Sequence, residues 1–451
     1  MALPWKSERL SGWGRHPVSE ARLLRPERYR DLERPEAACL ARGLGRSYGD
    51  AAFDAEGLVL STARLDRMLA FDPATGLLEA EGGVRFDDIL RTFLPRGWFL
   101  PVTPGTKFVT LGGALAADVH GKNHHVHGSL GRHAAWLELF TPGEGRLRCS
   151  PAEEAEAFHA TLGGMGLTGA IGAAAIRLRP VESPAMVVRH AGAAGLEALF
   201  RLLSDPAVDE PYTVAWIDCL SKGAKLGRGV FMAGRHAAKG ELGAPGLDAA
   251  VVPEPRFPMP FDLPGLALNR ASIGLFNAVY HWTQSRKSRP FLSGFDPFFY
   301  PLDAIRDWNR MYGKAGFVQY QCVLPQAVAF EGLKALLESI TASGQASFLA
   351  VLKGFGPGDP GPLSFPMEGF TLALDLPWRG EATARLLAGL DTRVAADGGR
   401  VYLAKDAHLG PEAFRAMYPR FGEWLAVKRR LDPEGRIQSS LSRRLKLSEG
   451  A

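Results

Sequence analysis

Hydrophobic and polar positions alternate over short distances in the first 180 residues, and glycine or proline separates one apolar segment from the next. Alternating segments of this length are typical of β-strands. Two longer segments, 86–94 and 153–162, repeat their apolar residues at helical spacing and predict helices. The predicted strands of this part are 57–60, 77–80, 137–140, 146–149 and 173–178.

A proline-flanked stretch at 180–184 separates this part from a second region of strands and helices. A chain of 451 residues exceeds one compact core, so two domains are expected. The strands predicted in the second region are 213–219, 229–233, 318–324, 348–353, 370–376 and 400–404, and the helices are 192–203, 330–343, 381–396 and 411–431. The pattern as a whole predicts an α+β fold.

Residues 238–300 fit neither pattern. Prolines at 253, 255, 258, 260 and 264 lie among apolar residues there. Long irregular stretches inside a domain are either poorly ordered or functional loops such as active-site lids. We therefore expect a flexible excursion at 238–300 that is disordered or covers a substrate cleft.

Charge and cysteine content narrow the class of protein. The net charge is +5, and the basic residues are scattered except at 428–430 and 443–444, so no nucleic-acid partner is expected. The four cysteines have no CxxC spacing, which fits a reducing compartment. No secretory signal is visible and no apolar run approaches the ~20 residues that span a bilayer, so we expect a cytoplasmic protein.

Two glycine-rich stretches carry the strongest chemical signal. The first, 41–50, has the sequence ARGLGRSYGD, and the second, 104–131, is rich in glycine and histidine. Glycine lets backbone N–H groups approach phosphate oxygens closely, and successive N–H groups form anion-binding nests. The two stretches together predict a bound ligand with a long phosphate-bearing spine.

Two simpler interpretations of glycine and histidine motifs fail. Residues 164–169 match GxGxxG, but a helix is predicted before them and a strand after them, the reverse of a Rossmann site. The histidines lie in a turn-rich stretch rather than at helical i, i+4 spacing, so we expect ligand contact or acid–base chemistry and no metal site. These histidines are His120, His124, His125, His127 and His133.

Lys405 follows the end of the last predicted strand. Most lysines at such positions are solvated, and position alone predicts a surface group. A lysine that points into a cleft at a domain junction could instead act as a base.

The two loops together resemble flavoenzymes of the vanillyl-alcohol oxidase type, with a PCMH-type FAD-binding domain. GLGRSYGD at 43–50 and HGKNHH at 120–125 are more specific and are similar to the decaprenylphosphoryl-β-D-ribose oxidases. Shorter matches extend the resemblance over nearly the whole chain: PGT at 104–106, FVQYQ at 317–321, FGP at 355–357, LSFP at 363–366, AKD at 404–406 and AMYPR at 416–420.

The resemblance implies a two-lobed FAD-binding domain, 1–183 with 400–451, closed by the C-terminal segment. It also implies an α+β substrate-binding cap domain, 184–399, with an antiparallel sheet and the excursion at 238–300.

The resemblance also implies residue roles. Lys405, His120 and Tyr48 would be catalytic. The FAD-binding residues would be Arg42, Gly43, Leu44, Gly45, Arg46, Ser47, Tyr48, Pro104, Gly105, Thr106, Thr110, Gly112, Gly113, Ala116, His120, Gly121, Asn123, His124, His125, Gly169, Ile171 and Tyr402. The substrate-binding residues would be Trp216, Gln319, Gln321, Lys353, Ala373, Asp375 and Lys405.

Two departures bear on chemistry. Mycobacterial members of the family carry a cysteine two residues before the aspartate of a D-F-P run, where this chain has Ala373, so thiol-directed inhibitors are expected to fail. Many flavoproteins of this fold link FAD through a first-loop histidine, where this chain has Arg46. Others use a second-loop cysteine, but none lies between Cys39 and Cys149, so we expect non-covalent FAD.

The implied activity is FAD-dependent oxidation of the 2'-hydroxyl of a polyprenyl-phosphoryl-β-D-ribose to the 2'-keto sugar. That would be the first half of a 2'-epimerisation giving an arabinose donor for cell-envelope glycan. A quinone or dioxygen would reoxidise the flavin, and an NAD(P)H-dependent short-chain reductase would be the partner. A lipid-linked substrate implies peripheral contact with the inner membrane. The alternative is an FAD-dependent oxidase of free alditols or aldonolactones.

Overall fold

A computed structural model describes residues 3–243, 247, 250–264, 268–345, 347 and 349–448. Two sheets, of four and five strands, lie in the N-terminal part, and an eight-stranded antiparallel sheet lies in the remainder. In spatial order, the four-stranded sheet is Trp5–Ser11, Val18–Leu24, Leu58–Ser61 and Leu40–Arg42, and the five-stranded sheet is Met68–Asp72, Leu77–Glu81, Ala170–Arg177, Ala134–Thr141 and Gly145–Cys149.

The eight-stranded sheet draws its strands from residues 185–401. In spatial order, they are Phe291–Gly294, Ala185–Ala193, Gly229–His236, Tyr212–Ile217, Ala350–Phe355, Gly369–Pro377, Phe317–Pro325 and Arg400–Val401. Two short pairs complete the described strands: Trp98–Phe99 with Arg179–Pro180, and Phe257–Pro258 with Ile305–Arg306.

Helices flank these sheets, and the mixture confirms the predicted α+β class. The described α-helices are Phe86–Phe93, Leu111–Ala116, His124–His127, Ala155–Thr161, Leu196–Leu203, Arg270–Ser285, Phe295–Phe299, Ala329–Ser343, Glu381–Ala396, Pro411–Met417, Phe421–Leu431 and Ser440–Arg444. Short 3₁₀ turns are Tyr29–Glu33, Pro35–Ala37, Leu94–Arg96, Leu130–His133, Gly223–Lys225, Lys239–Glu241, Pro301–Ala304 and Trp308–Tyr312. In the described part of the chain, no helix is both long and apolar enough to cross a membrane.

Most predicted elements shift by a few residues at their ends, and three differ in ways that have a clear cause. The helix predicted at 192–203 begins at Leu196, because Ala185–Ala193 is a strand that pairs with strands on both sides. The strand predicted at 400–404 ends at Val401. The helix predicted at 411–431 is two helices, because Pro419 follows Tyr418, whose backbone leaves the helical region at φ −123° and ψ 72°.

The described part of 238–300 is not irregular throughout. It contains the 16-residue helix Arg270–Ser285, hereafter the cap helix. The side chain of Asn269 accepts hydrogen bonds from the backbone N–H groups of Ala271 and Ser272 and so begins this helix. Residues 244–246, 248–249 and 265–267 of this segment, and Phe348 of the strand predicted at 348–353, lie outside the described residues.

Buried ion pairs join the N-terminal part to later segments. Lys107 is fully buried, with its Nζ 2.6 Å from Asp296 and 4.0 Å from Asp303. Arg444, near the C-terminus, contacts both Asp50 and Asp406. The division into 1–183 with 400–451 and 184–399 stays a prediction, and the large sheet includes Arg400–Val401.

Candidate active site

A cavity of about 540 Å³ lies between the glycine-rich loops and the large sheet. The loop wall comes from residues of 41–52 and 103–122. The sheet wall comes from side chains of the large sheet: Val188, His190, Val214, Trp216, Met232, Phe291, Ser293, Gln319, Gln321, Val351, Lys353 and Ala373. Lys405 and Tyr402 close the cavity from the chain that follows the last strand.

The first loop needs glycine where it turns. Gly45 has φ +63°, and an added Cβ would lie 2.2 Å from Nη2 of Arg42. The Arg42 guanidinium donates to the carbonyls of Ser11 at 2.8 Å and Ala52 at 2.9 Å. Arg42 therefore supports the loop from behind and is not part of the cavity lining.

The second loop begins a short helix at the cavity. Thr110 accepts a hydrogen bond from the Gly113 N–H at 3.2 Å, and the Gly112 N–H donates to the Gly82 carbonyl at 2.8 Å. Gly105 lines the cavity, and an added Cβ there would meet no atom within 4 Å. Open space therefore lies against this loop, on the side where a ligand would bind.

The second half of HGKNHH lies behind the cavity lining. Asn123 is buried and donates from Nδ2 to the Pro101 carbonyl at 2.8 Å. His124 packs against Phe355, with ring centroids 4.4 Å apart. Neither they nor His125 lines the cavity, so these three predicted cofactor contacts are placed in a supporting layer.

The other predicted cofactor residues are all in the cavity lining. They are Gly43, Leu44, Gly45, Arg46, Ser47, Tyr48, Pro104, Gly105, Thr106, Thr110, Gly112, Gly113, Ala116, His120, Gly121, Gly169, Ile171 and Tyr402. Gly169 ends the 164–169 motif, which lies between helix Ala155–Thr161 and strand Ala170–Arg177. This order of elements confirms that the motif is not a Rossmann site.

His120 is buried among aromatic rings. Its ring centroid is 4.8 Å from that of Phe355 and 5.1 Å from that of Tyr402. The side-chain amide N–H of Gln321 donates to Nε2 of His120 at 2.9 Å. Burial, with nearby Lys353, holds the pKa of His120 well below its ordinary value, and the ring is neutral at neutral pH.

Lys405 lines the cavity, so the surface role predicted from its position alone is wrong. The chain turns after Val401, and the Nζ of Lys405 lies 3.7 Å from the centroid of the Tyr48 ring. Burial lowers the pKa of Lys405 to about 7, while the charge of Asp375 opposes this shift and that of Lys353 adds to it. A large fraction of this amine is therefore neutral at neutral pH.

Asp375 lies one layer behind the cavity. It is fully buried and accepts hydrogen bonds from Gln319 Nε2 at 2.5 Å and the Tyr312 hydroxyl at 3.2 Å. Burial raises the pKa of this carboxyl to about 7. Asp375 is not part of the cavity lining, so the structure places this predicted substrate residue as a support for Gln319 and a source of field at Lys405.

The charges lining the cavity have one sign. Four half-buried cations line it, Arg46, Lys122, Lys353 and Lys405, and the exposed Lys287 lines it as well; no Asp or Glu is among its described lining residues. None of the four has a carboxylate within ion-pair distance among the residues that the structure describes. Burial lowers the pKa of Lys122 to about 7 and of Lys353 to about 8. Half-buried cations that have no carboxylate partner are costly, so this wall is suited to an anionic ligand.

Sequence reasoning missed several lining residues. Lys122 lies inside the quoted HGKNHH motif, and its Nζ donates to the Phe299 carbonyl at 3.3 Å. The match to the HGKNHH motif could therefore have identified Lys122 as a lining residue. Phe298, Phe299 and Tyr280 come from the segment predicted to be irregular, and nothing in their local sequence marks them as cavity residues.

In the described part of the chain, no group of three or more His, Cys, Asp or Glu side chains could hold a metal ion. A dinucleotide fits better, because both loops present backbone at a cavity lined only by cations and neutral groups. The residues present therefore fit FAD.

Comparisons with known proteins agree with this geometry. The model of a family described as an FAD binding domain matches residues 27–150. The chain is 38% identical, over 464 aligned residues and 98% of each chain, to decaprenylphosphoryl-beta-D-ribose oxidase of Mycolicibacterium smegmatis. It is 36% identical to an uncharacterized protein in the mprA 5' region of Streptomyces coelicolor, over 78% of this chain and 97% of that one. Cytokinin dehydrogenase 9 of Oryza sativa is 31% identical over 38% of this chain and 33% of its own.

Fold, loops and comparisons define an FAD-dependent oxidoreductase of the PCMH type, acting on a CH–OH group. The predicted cofactor and reaction class are confirmed. The chain belongs to the decaprenylphosphoryl-β-D-ribose oxidase family.

Proposed function

We propose that the chain oxidises the 2'-hydroxyl of a polyprenyl-phosphoryl-β-D-ribose to the 2'-keto sugar, the first half of a 2'-epimerisation towards an arabinose donor. The main support is the set of half-buried cations around one cavity, none of which has a carboxylate within ion-pair distance among the described residues. These cations suit two anionic groups, the cofactor diphosphate and a substrate phosphate. The relative from Mycolicibacterium smegmatis, whose name matches this activity, aligns with the chain over nearly its whole length.

The loop wall is the proposed cofactor side. Backbone of Gly43–Ser47 and Pro104–Thr106 would face the diphosphate, with Arg46 as the nearby cation. The Arg46 guanidinium is 3.8 Å from the centroid of the Trp13 ring, which holds it in one orientation. FAD, when bound, supplies the hydride-accepting chemistry, and the protein supplies orientation.

The sheet wall is the proposed substrate side. Gln319 and Gln321 alternate with Tyr320, so both amides face the cavity from one strand. Lys353, on a strand two places away in the sheet, would contact the phosphate together with Lys122. Trp216 would pack against the sugar or the start of the lipid.

Lys405 is the better base of the two candidates. The hydroxyl proton must leave as the sugar carbon loses hydride, and a base with a pKa near the operating pH serves best. The pKa of Lys405 is about 7, whereas burial beside cations keeps the pKa of His120 far lower and makes it a weak acceptor. His120 would instead orient the hydroxyl, with Tyr48 shielding the amine.

The proposed reaction leaves a keto sugar and a reduced cofactor. An NAD(P)H-dependent short-chain reductase partner would complete the epimerisation, because this cavity transfers hydride in the other direction. A quinone or dioxygen would take the electrons.

The test is anaerobic reduction of the bound flavin, followed by its absorbance. Polyprenyl-phosphoryl-ribose should bleach the flavin, and xylitol or an aldonolactone should not. Bleaching by the free alditol or lactone alone would replace this proposal with the alternative oxidase of free sugars.

The FAD attachment is proposed to be non-covalent. Arg46 lines the cavity where related proteins carry a linking histidine, and none of the described lining residues is a cysteine. Acid precipitation should therefore release all flavin into the supernatant. Yellow colour that stays with the precipitated protein would contradict this expectation.

A further inference from the structure

The cap helix exposes its apolar face to solvent. Leu275 is 69% exposed, Val279 52% and Trp282 55%, and they lie on one stripe at helical spacing. The opposite face packs inward through Ile273 and Asn277. Helices at a protein surface usually bury the apolar stripe, so this reversed arrangement marks a contact surface.

A polar contact holds the cap helix in this orientation. Asn277 is fully buried, and its Nδ2 donates to Asp218 at 2.7 Å. Tyr280 packs on Trp216 of the sheet wall, with ring centroids 4.8 Å apart. Rolling the helix to bury its apolar stripe would break both contacts.

The sequence around this face is basic. Residues 263–294 contain no Asp or Glu and four basic residues, Arg270, Arg286, Lys287 and Arg289. The Arg286 guanidinium lies 3.9 Å from the centroid of the Trp282 ring. An apolar stripe with an aromatic residue and flanking cations is the composition of helices that lie in the surface of an anionic bilayer.

The same helix covers the cavity. Tyr280 and Gln284 line the cavity from the inward side of the helix, and Lys287, which is exposed, also lines it. The cavity therefore reaches the surface near the C-terminal end of the cap helix.

We propose that the outward face of the cap helix docks on an anionic lipid surface. This assignment rests on the proposed function, because a polyprenyl tail would then stay in the bilayer while the phosphoryl sugar enters below the helix. A protein partner or a second copy of the chain fits less well, since either would have to neutralise four cations as well as cover the stripe.

The experiment is flotation of the FAD-loaded protein with vesicles that contain no substrate. Vesicles of phosphatidylglycerol and phosphatidylcholine in equal amounts should carry the wild type upward, and pure phosphatidylcholine should carry much less. The triple variant Leu275→Ser, Val279→Ser, Trp282→Ser should lose about tenfold in partitioning, as should Arg286→Glu with Arg289→Glu. A matched control, Trp5→Ser with Leu69→Ser, removes residues of similar exposure elsewhere and should float like the wild type.

Three results would overturn the docking surface. The first is a wild type that stays unbound, and the second is a triple variant that floats as well as the wild type. The third is a dimer in size-exclusion chromatography that the triple variant abolishes while neither protein floats.

Flavin reduction separates this inference from the proposed function. A short-chain, soluble phosphoryl-ribose should bleach the flavin of the triple variant at the wild-type rate, because the three side chains do not line the cavity. If the protein floats but no phosphoryl-ribose bleaches its flavin, lipid docking of the cap helix is supported and the proposed substrate is rejected. If the substrate bleaches the flavin but the protein does not float, the proposed substrate is supported and lipid docking is rejected.

Discussion

The loop wall and the sheet wall of the cavity are built in opposite ways. The loop wall consists of two continuous stretches whose glycines let backbone face the cavity. The sheet wall consists of single side chains from strands that are far apart in the sequence, such as Trp216, Gln321 and Ala373. A cofactor shared by many proteins can be held by backbone, whereas a particular substrate needs particular side chains.

The two walls share one electrostatic feature, which is that both carry cations. Arg46 belongs to the loop wall and Lys353 to the sheet wall, yet neither has a carboxylate partner among the described residues. The carboxylates that act on these walls, Asp375 beside Lys405 and Asp303 beside Arg46, are buried outside the cavity lining.

The largest effect is expected from Lys405→Met. Removal of the amine should slow flavin reduction by substrate about 10²- to 10⁴-fold, the usual contribution of a positioned base. Stopped-flow absorbance under anaerobic conditions measures the rate, and the flavin content of the purified variant shows that the loop wall is intact. Reduction at the wild-type rate would remove Lys405 from its proposed role.

Arg46→Ala should act on the other wall. Loss of a cation from the cofactor side should weaken FAD binding roughly ten- to hundredfold, the range for a charged hydrogen-bonding group. Titration of the apoprotein with FAD, followed by flavin fluorescence, gives the affinity. Arg46→Lys keeps the charge but not the planar stacking on Trp13, so it should recover part of the loss. Equal affinity in all three proteins would contradict this prediction.

Asp375→Asn should move the pH profile rather than abolish activity. A base accepts a proton only when neutral, so the wild-type reduction rate should rise with pH through about 7. The Asp375 charge favours the ammonium form of Lys405, so its removal should lower the pKa of Lys405 further and shift the rising limb to more acid pH.

The measurement is the limiting rate of flavin reduction across pH, in wild type and Asp375→Asn. Asp375→Ser, which also lacks the charge but has a smaller side chain, is the control for side-chain shape. If Asp375 had a purely structural role, its replacement would lower the reduction rate at every pH without moving the pH at which the rate rises.

Sequence patterns predicted the loop wall better than the sheet wall for a physical reason. A phosphate-binding loop is local, so 41–50 contains nearly everything that the first turn needs. The sheet wall depends on strand order, and the strand Ala185–Ala193 was missed altogether. The lining of that wall was predicted only through the family resemblance.

The cap helix shows why a correct pattern can fail. Its outward residues are apolar and its inward face carries Asn277, so the usual periodicity is reversed. The prolines that precede it made the whole segment resemble an irregular loop. Lys405 was misplaced for a different reason: a strand that ends at Val401 rather than 404 turns its side chain inward.

Ala373→Cys should have the smallest effect on turnover and the sharpest effect on inhibition. Ala373 is 7% exposed, lines the cavity and pairs with Gln321 and Val351 of neighbouring strands. One added sulfur fits a cavity wall more easily than a packed core, so we expect the rate of flavin reduction to change less than about threefold.

A thiol-directed inhibitor shaped for the family pocket should leave the wild type active and inactivate the variant with time. Mass spectrometry should find one adduct, at residue 373, and Cys322, buried on the same sheet, should stay unmodified as the internal control. The two proteins differ only at residue 373. Time-dependent inactivation of the wild type would therefore show that the inhibitor reacts at another residue and that the sheet wall does not decide sensitivity to the inhibitor.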